Sequence, residues 1–105
     1  MRQFDVFANP NTHSQGRVPY LVNLQNDLLD KLENVVVAPL RRLDDDTGIP
    51  VLRLNPVVTV EEVECFVRTQ ELAAISPRGL GRPVANLSEQ REAILAALDL
   101  LFTGF

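Results

Sequence analysis

With 105 residues, 46% hydrophobic and 23% charged, the chain is long enough for one packed core, too short for two, and too apolar for wholesale disorder. Ten basic against fourteen acidic residues leave a net charge of −4, which disfavours a broad phosphate-tracking surface and direct reading of DNA. No apolar run approaches the ~20 residues that span a bilayer, and the opening MRQFDVF lacks the apolar stretch of a secretion signal, so a cytoplasmic, single-domain protein over residues 1–105 is expected.

The first strand is predicted over residues 3–7, where aromatic and β-branched side chains alternate with polar ones. Residues 9–16, NPNTHSQG, concentrate turn formers and predict an exposed loop. His13 lies in it as the only histidine; with no second His to help complete a metal site, a solvated loop residue is the better reading. A second strand is expected over residues 20–25, then a turn or short helical piece from Asn26 and Asp27 through Leu32. The unbroken Val35-Val36-Val37-Ala38 predicts a third strand buried on nearly both faces, ended or bent by Pro39.

Residues 41–48, RRLDDDTG, form the most charged segment. Gly48 falls where a calcium loop would place a third alternate ligand, so a solvated turn is preferred, with a contact surface for a charged partner as the alternative. Beyond Pro50, residues 51–54, 57–61, 64–68 and 72–75 are short, β-rich and closely punctuated, as in a small antiparallel barrel or sandwich. Glu61 and Glu62, or the region of Thr69 and Gln70, would turn the chain. The lone Cys65 reads as a small apolar strand residue, buried and inert. Glycines in residues 76–83 match neither the dinucleotide nor the phosphate-loop fingerprint.

A final helix is predicted from Ser88 onward, capped by Asn86 or Ser88, with Glu89 at its positive end. Ala93, Ile94, Ala97, Leu98 and Leu101 share one face by steps of three and four. Leu95, Leu100, Phe102 and Phe105 are left over, and apolar groups that a domain cannot cover usually face another protein. Nucleophilic catalysis needs a base beside a nucleophile. One loop histidine makes that hard to build, so neither an enzyme nor a cofactor is expected. Nine of the ten cations are arginine, which suits defined pairing with carboxylates and makes an acidic peptide partner conceivable.

Taken in order, FDVFANP, PYLVNLQNDLLD, VVVAPL, LNPVVTVEE, TQELAAIS, LGRPVANLS and AALDLLFTGF resemble the CcdB family of bacterial toxins along essentially the whole chain. The resemblance implies a mainly β fold, a small SH3-like antiparallel barrel with a side sheet and a C-terminal α-helix. It further implies a homodimer that poisons the A subunit of DNA gyrase and is neutralised by a mostly disordered CcdA-like antitoxin. The family's closing Trp-Gly-Ile stands here as Thr103, Gly104 and Phe105, and Asp99, Asn26 and Leu28 align with positions flanking the gyrase contact. Asn26 could equally cap a turn and Leu28 pack in the core. Dimer contacts are expected at Leu98, Leu101 and Phe102, and antitoxin contacts at residues 9–17 and 41–48. Two alternatives are an endoribonuclease sharing this barrel architecture, disfavoured by the acidic balance and the single loop histidine, and a homologue that lost toxicity through Thr103 and keeps only antitoxin binding.

Overall fold

Every strand of the molecule is antiparallel to its neighbours, and one long strand holds the sheet together. The computed structural model describes residues 1–44 and 48–105. Among the described residues, strands β1 (Asp5–Ala8), β2 (Tyr20–Asn23), β3 (Val35–Arg42), β4 (Val57–Val60), β5 (Val63–Val67), β6 (Ala73–Ile75) and β7 (Pro83–Asn86) precede one α-helix, α1 (Arg91–Thr103). The sheet runs β4-β5-β3-β2-β1-β7, with β6 attached to β3 off this path. The result is a curled half-barrel with a side sheet and a C-terminal helix, the mainly β class that the strand punctuation predicts.

β3 runs through Pro39 instead of ending there. On one side β2 pairs with it from Tyr20↔Leu40 to Asn23↔Val37. On the other, β6 covers Val35–Val37 and β5 covers Leu40–Arg42. Pro39 lies in the gap where the second partner changes. Its missing N–H therefore costs no ladder bond, while its carbonyl accepts from Arg68 N at 2.9 Å. Arg41 and Arg42, read from sequence as loop, extend this strand. The acidic run that follows enters Asp45, Asp46 and Thr47, which lie outside the described residues, so the calcium-loop reading cannot be placed.

Residues 51–54 are not a strand. Asn55, itself buried, accepts from Val51 N at 3.0 Å and donates to Val67 O and Gln70 Oε1 at 2.9 and 2.8 Å. Buried Thr69 ties Leu54 O from the other side at 2.5 Å. These bonds fold the segment back as a turn, leaving Ile49 and Leu52 92% and 88% exposed.

In β4, Val58 and Val60 are buried and Val57 and Thr59 exposed, the period-2 alternation of a strand with one face on the core. β4 and β5 join through Glu61 and Glu62, both at positive φ, 50° and 67°. That is the backbone of a type I′ hairpin turn, a geometry normally supplied by Asn-Gly. Val6, Val22, Leu40, Val60, Cys65 and Val67 form one core cluster, which Ile94 of α1 joins.

Candidate functional site

The helix end is built from its root upward. Asn86 Oδ1 accepts from Ser88 N at 2.8 Å, so Asn86 starts the turn; a short 3-10 piece, Ser88–Gln90, leads into α1. Arg91 locks that root to the residues just before β1, with its guanidinium 5.8 Å from the Phe4 ring centroid and Nη1 donating to Gln3 Oε1 at 3.2 Å. Ile94 and Ala97 are buried; Leu98 and Leu101 are half-buried, and Ala93 is exposed. Leu95, expected to be left over, packs against the core instead. The buried stripe is thus turned slightly from the one drawn on the sequence.

Beyond that stripe the apolar residues run out into solvent. Leu100 is half-buried, whereas Phe102 is 70% and Phe105 82% exposed. Gly104 closes the helix in the left-handed conformation, φ 82°, its N–H donating to Leu100 O at 3.0 Å. Glycine is the residue that adopts this cap without Cβ strain. Thr103 turns its hydroxyl back to Asp99 O at 2.6 Å. Its polar atom is therefore occupied within the helix, and what faces outward at this end is aromatic.

Asn26 caps the 3-10 turn Asp27–Leu29, accepting from Leu28 N at 2.9 Å. Leu28 is 90% exposed, so the core-packing role is ruled out. Leu29 and Leu32 are also exposed, making a second apolar outcrop. Among the described residues no hydrogen bond or ion pair links Asn26 or Leu28 to Asp99 or to the segment Thr103, Gly104 and Phe105. Leu98 and Leu101, the expected dimer contacts, are partly engaged within the subunit, while Phe102 is free of it.

Of the two segments expected to meet an antitoxin, residues 9–17 and the described start of 41–48 come together. Residues 9–18 are held by Asx turns, with Asn9 Nδ2 donating to Ser14 Oγ and Val18 O at 3.0 and 2.8 Å and Asn11 Oδ1 accepting from His13 N at 2.9 Å. The loop then docks on the end of β3, where Arg42 N and Nε donate to Arg17 O and Gly16 O at 2.9 and 3.3 Å.

Electrostatics adds little reactivity. Burial pushes the Cys65 thiol up to about 11, only partly opposed by Arg42, so it is protonated at neutral pH. Tyr20 is also raised, by burial first and then by its hydrogen bond to Glu61 Oε1 at 2.9 Å. Among the described residues no three His, Cys, Asp or Glu side chains are grouped to hold a metal, and no helix is long and apolar enough to cross a membrane.

These features define a small antiparallel half-barrel with a C-terminal helix whose outer end is aromatic and exposed. Residues 3–104 match the family model described as CcdB protein, and the chain belongs to the CcdB family, the toxins of toxin–antitoxin modules.

Proposed function

We propose that this protein binds the A subunit of DNA gyrase and traps the gyrase–DNA cleavage complex, turning the topoisomerase into a source of double-strand breaks. It cuts nothing itself. A ligand that prefers the cleaved, open state of its target shifts the target's population toward that state. In this reading it works in the cytoplasm as a homodimer of single-domain chains, with Leu98, Leu101 and Phe102 at the two-fold contact and a CcdA-like antitoxin as its neutralising partner.

The observation that carries the reading is the exposure of two aromatic residues beside the glycine cap, Phe105 for the gyrase contact and Phe102 for the two-fold one. Thr103 cannot offer the aromatic face that the family's tryptophan provides. In this reading the exposed Phe105 supplies it instead, and a phenyl ring over an arginine is worth ~0.5–2 kcal/mol. Asp99, Asn26 and Leu28 would flank the contact. Mixing purified protein with gyrase and supercoiled DNA, then scoring linear DNA after denaturation, tests this. Cleavage complexes should form, and both Phe105→Ala and deletion of residues 103–105 should abolish or sharply reduce them. Unaltered trapping by both variants would contradict the assignment of the tail.

A second reading, a homologue that binds antitoxin without poisoning gyrase, is favoured by the bond from Thr103 to Asp99, which engages the hydroxyl within the helix and leaves only a methyl where the family carries an aromatic ring. Antitoxin binding without linear DNA would select it.

A further inference from the structure

The loop after β1 and the end of β3 border an open cavity of about 210 Å³, lined by His13, Ser14, Arg17, Val18, Arg41 and Glu71. One water needs only ~10–15 Å³ of such volume, so the space admits a polyatomic group. Among the described residues its wall is positive, and the one carboxylate among them, Glu71, is already paired with Arg68 Nε at 2.9 Å. Among the described residues no acid lies within ion-pair distance of Arg17 or Arg41.

Neighbouring arginines meet different fates here. Arg42 Nε donates to Gly16 O. Arg41 Nε is buried and, among the described residues, has no hydrogen-bond acceptor. A buried donor on a permanently charged group is costly unless something accepts from it. The planar guanidinium fork matches two oxygens of a carboxylate or phosphate. Ser14 Oγ already accepts from Asn9 Nδ2 at 3.0 Å, which leaves its own proton to donate. On a chain of net charge −4, this is a local device and not part of a general basic surface.

We propose that this cavity is an oxyanion-binding site, in which the Arg41 fork, turned so that its buried Nε–H opens to the cavity, grips a carboxylate or phosphate group while Arg17 and Ser14 complete its coordination. The group comes either from an acidic side chain of a peptide or from free phosphate. Titrations of the ¹⁵N-labelled full chain with inorganic phosphate and, separately, with a blocked glutamyl peptide distinguish the two sources.

Saturable shifts at Ser14, Arg17, Arg41 and the Arg41 Nε–H resonance are expected in at least one titration. Phosphate alone saturating assigns a phosphate site, and the peptide alone an acidic-peptide site. The Arg41→Gln variant should weaken binding roughly tenfold or more, since a charge-assisted bidentate contact is lost. Arg41→Lys, which keeps charge without the fork, should recover little of it. Arg78→Gln, an exposed arginine outside the cavity wall, should change nothing. Should Arg41→Gln disturb the fold, Arg17→Gln in the surface loop provides the same comparison. Absence of saturation in both titrations, or saturation indifferent to Arg41 and Arg17, overturns the proposal.

Discussion

Two glutamates at the tip of the β4–β5 hairpin should respond in opposite directions to the same substitution. Glu61 and Glu62 both hold positive φ, 50° and 67°. A side chain in the left-handed region costs roughly 1–2 kcal/mol, and glycine removes that cost while losing about 0.5–1 kcal/mol to the freer unfolded chain. Glu62 is exposed, and none of the bonds that hold the hairpin tip involves its side chain. Glu62→Gly should therefore stabilise the fold by about 0.5–1 kcal/mol. Glu61 is different, because its Oε1 accepts from the hydroxyl of buried Tyr20 and its Oε2 lies 3.7 Å from Arg82 Nη1. The Arg82 pair is exposed and worth under about 1 kcal/mol. Stranding the Tyr20 hydroxyl costs about 1–3 kcal/mol, which outweighs the relief, so Glu61→Gly should destabilise by about 1 kcal/mol. Urea unfolding at neutral pH, with the m-value unchanged between variants, measures both. If Glu62→Gly is no more stable than the parent, or if both variants gain equally, the reasoning from backbone strain and hydroxyl satisfaction fails.

Gly81→Ala should cost about 2 kcal/mol, because a Cβ there would stand 2.5 Å from Ala8 O and 3.2 Å from Ala8 Cβ. The Gly81 N–H to Ala8 O bond of 2.9 Å would have to open; a melting temperature within a degree of the parent would refute this. Stability should also fall in alkali, since the folded thiol of Cys65 holds its proton to about 11 against an ordinary 9.0. The contribution is complete below pH 9 and lost as the pH climbs through 11, by at most about 3 kcal/mol at about 1.4 kcal/mol per unit. Tyr20 is raised in the same direction, so Cys65→Ala should flatten the alkaline limb of a pH–stability curve only in part, and an unchanged limb would count against Cys65.

Features governed by local chemistry were legible before any coordinates. The turn formers after the first strand, the β-rich segment that becomes β4 and the burial of Cys65 all follow from side-chain type and spacing, whereas the turn at Glu61 and Glu62 was one of two places the sequence offered and takes a backbone that glutamate does not favour. Features governed by distant partners were not. Pro39 is harmless inside β3 only because β6 and β5 change places opposite it, and nothing next to Pro39 in sequence says so. Residues 51–54 have strand composition, but Asn55 and Thr69 claim their backbone groups. At the helix end, periodicity found the exposed aromatics yet put Leu95 on the wrong side, a small rotation that depends on how α1 meets the sheet. The cationic cavity unites His13 and Arg17 with Arg41, more than twenty positions apart. Charge in residues 41–48 hinted at a contact surface, while residues 9–17 entered as one only through the family resemblance; their adjacency is a property of the fold.

β3 has a mechanical meaning for the whole molecule. Half-barrel and side sheet are laced to a single rod of eight residues, so loosening its middle would slacken both together and carry off the seat of Arg41 as well. Slowest amide exchange should therefore gather along this rod, and damage to it should register as collapse of the entire body before any surface is individually blunted.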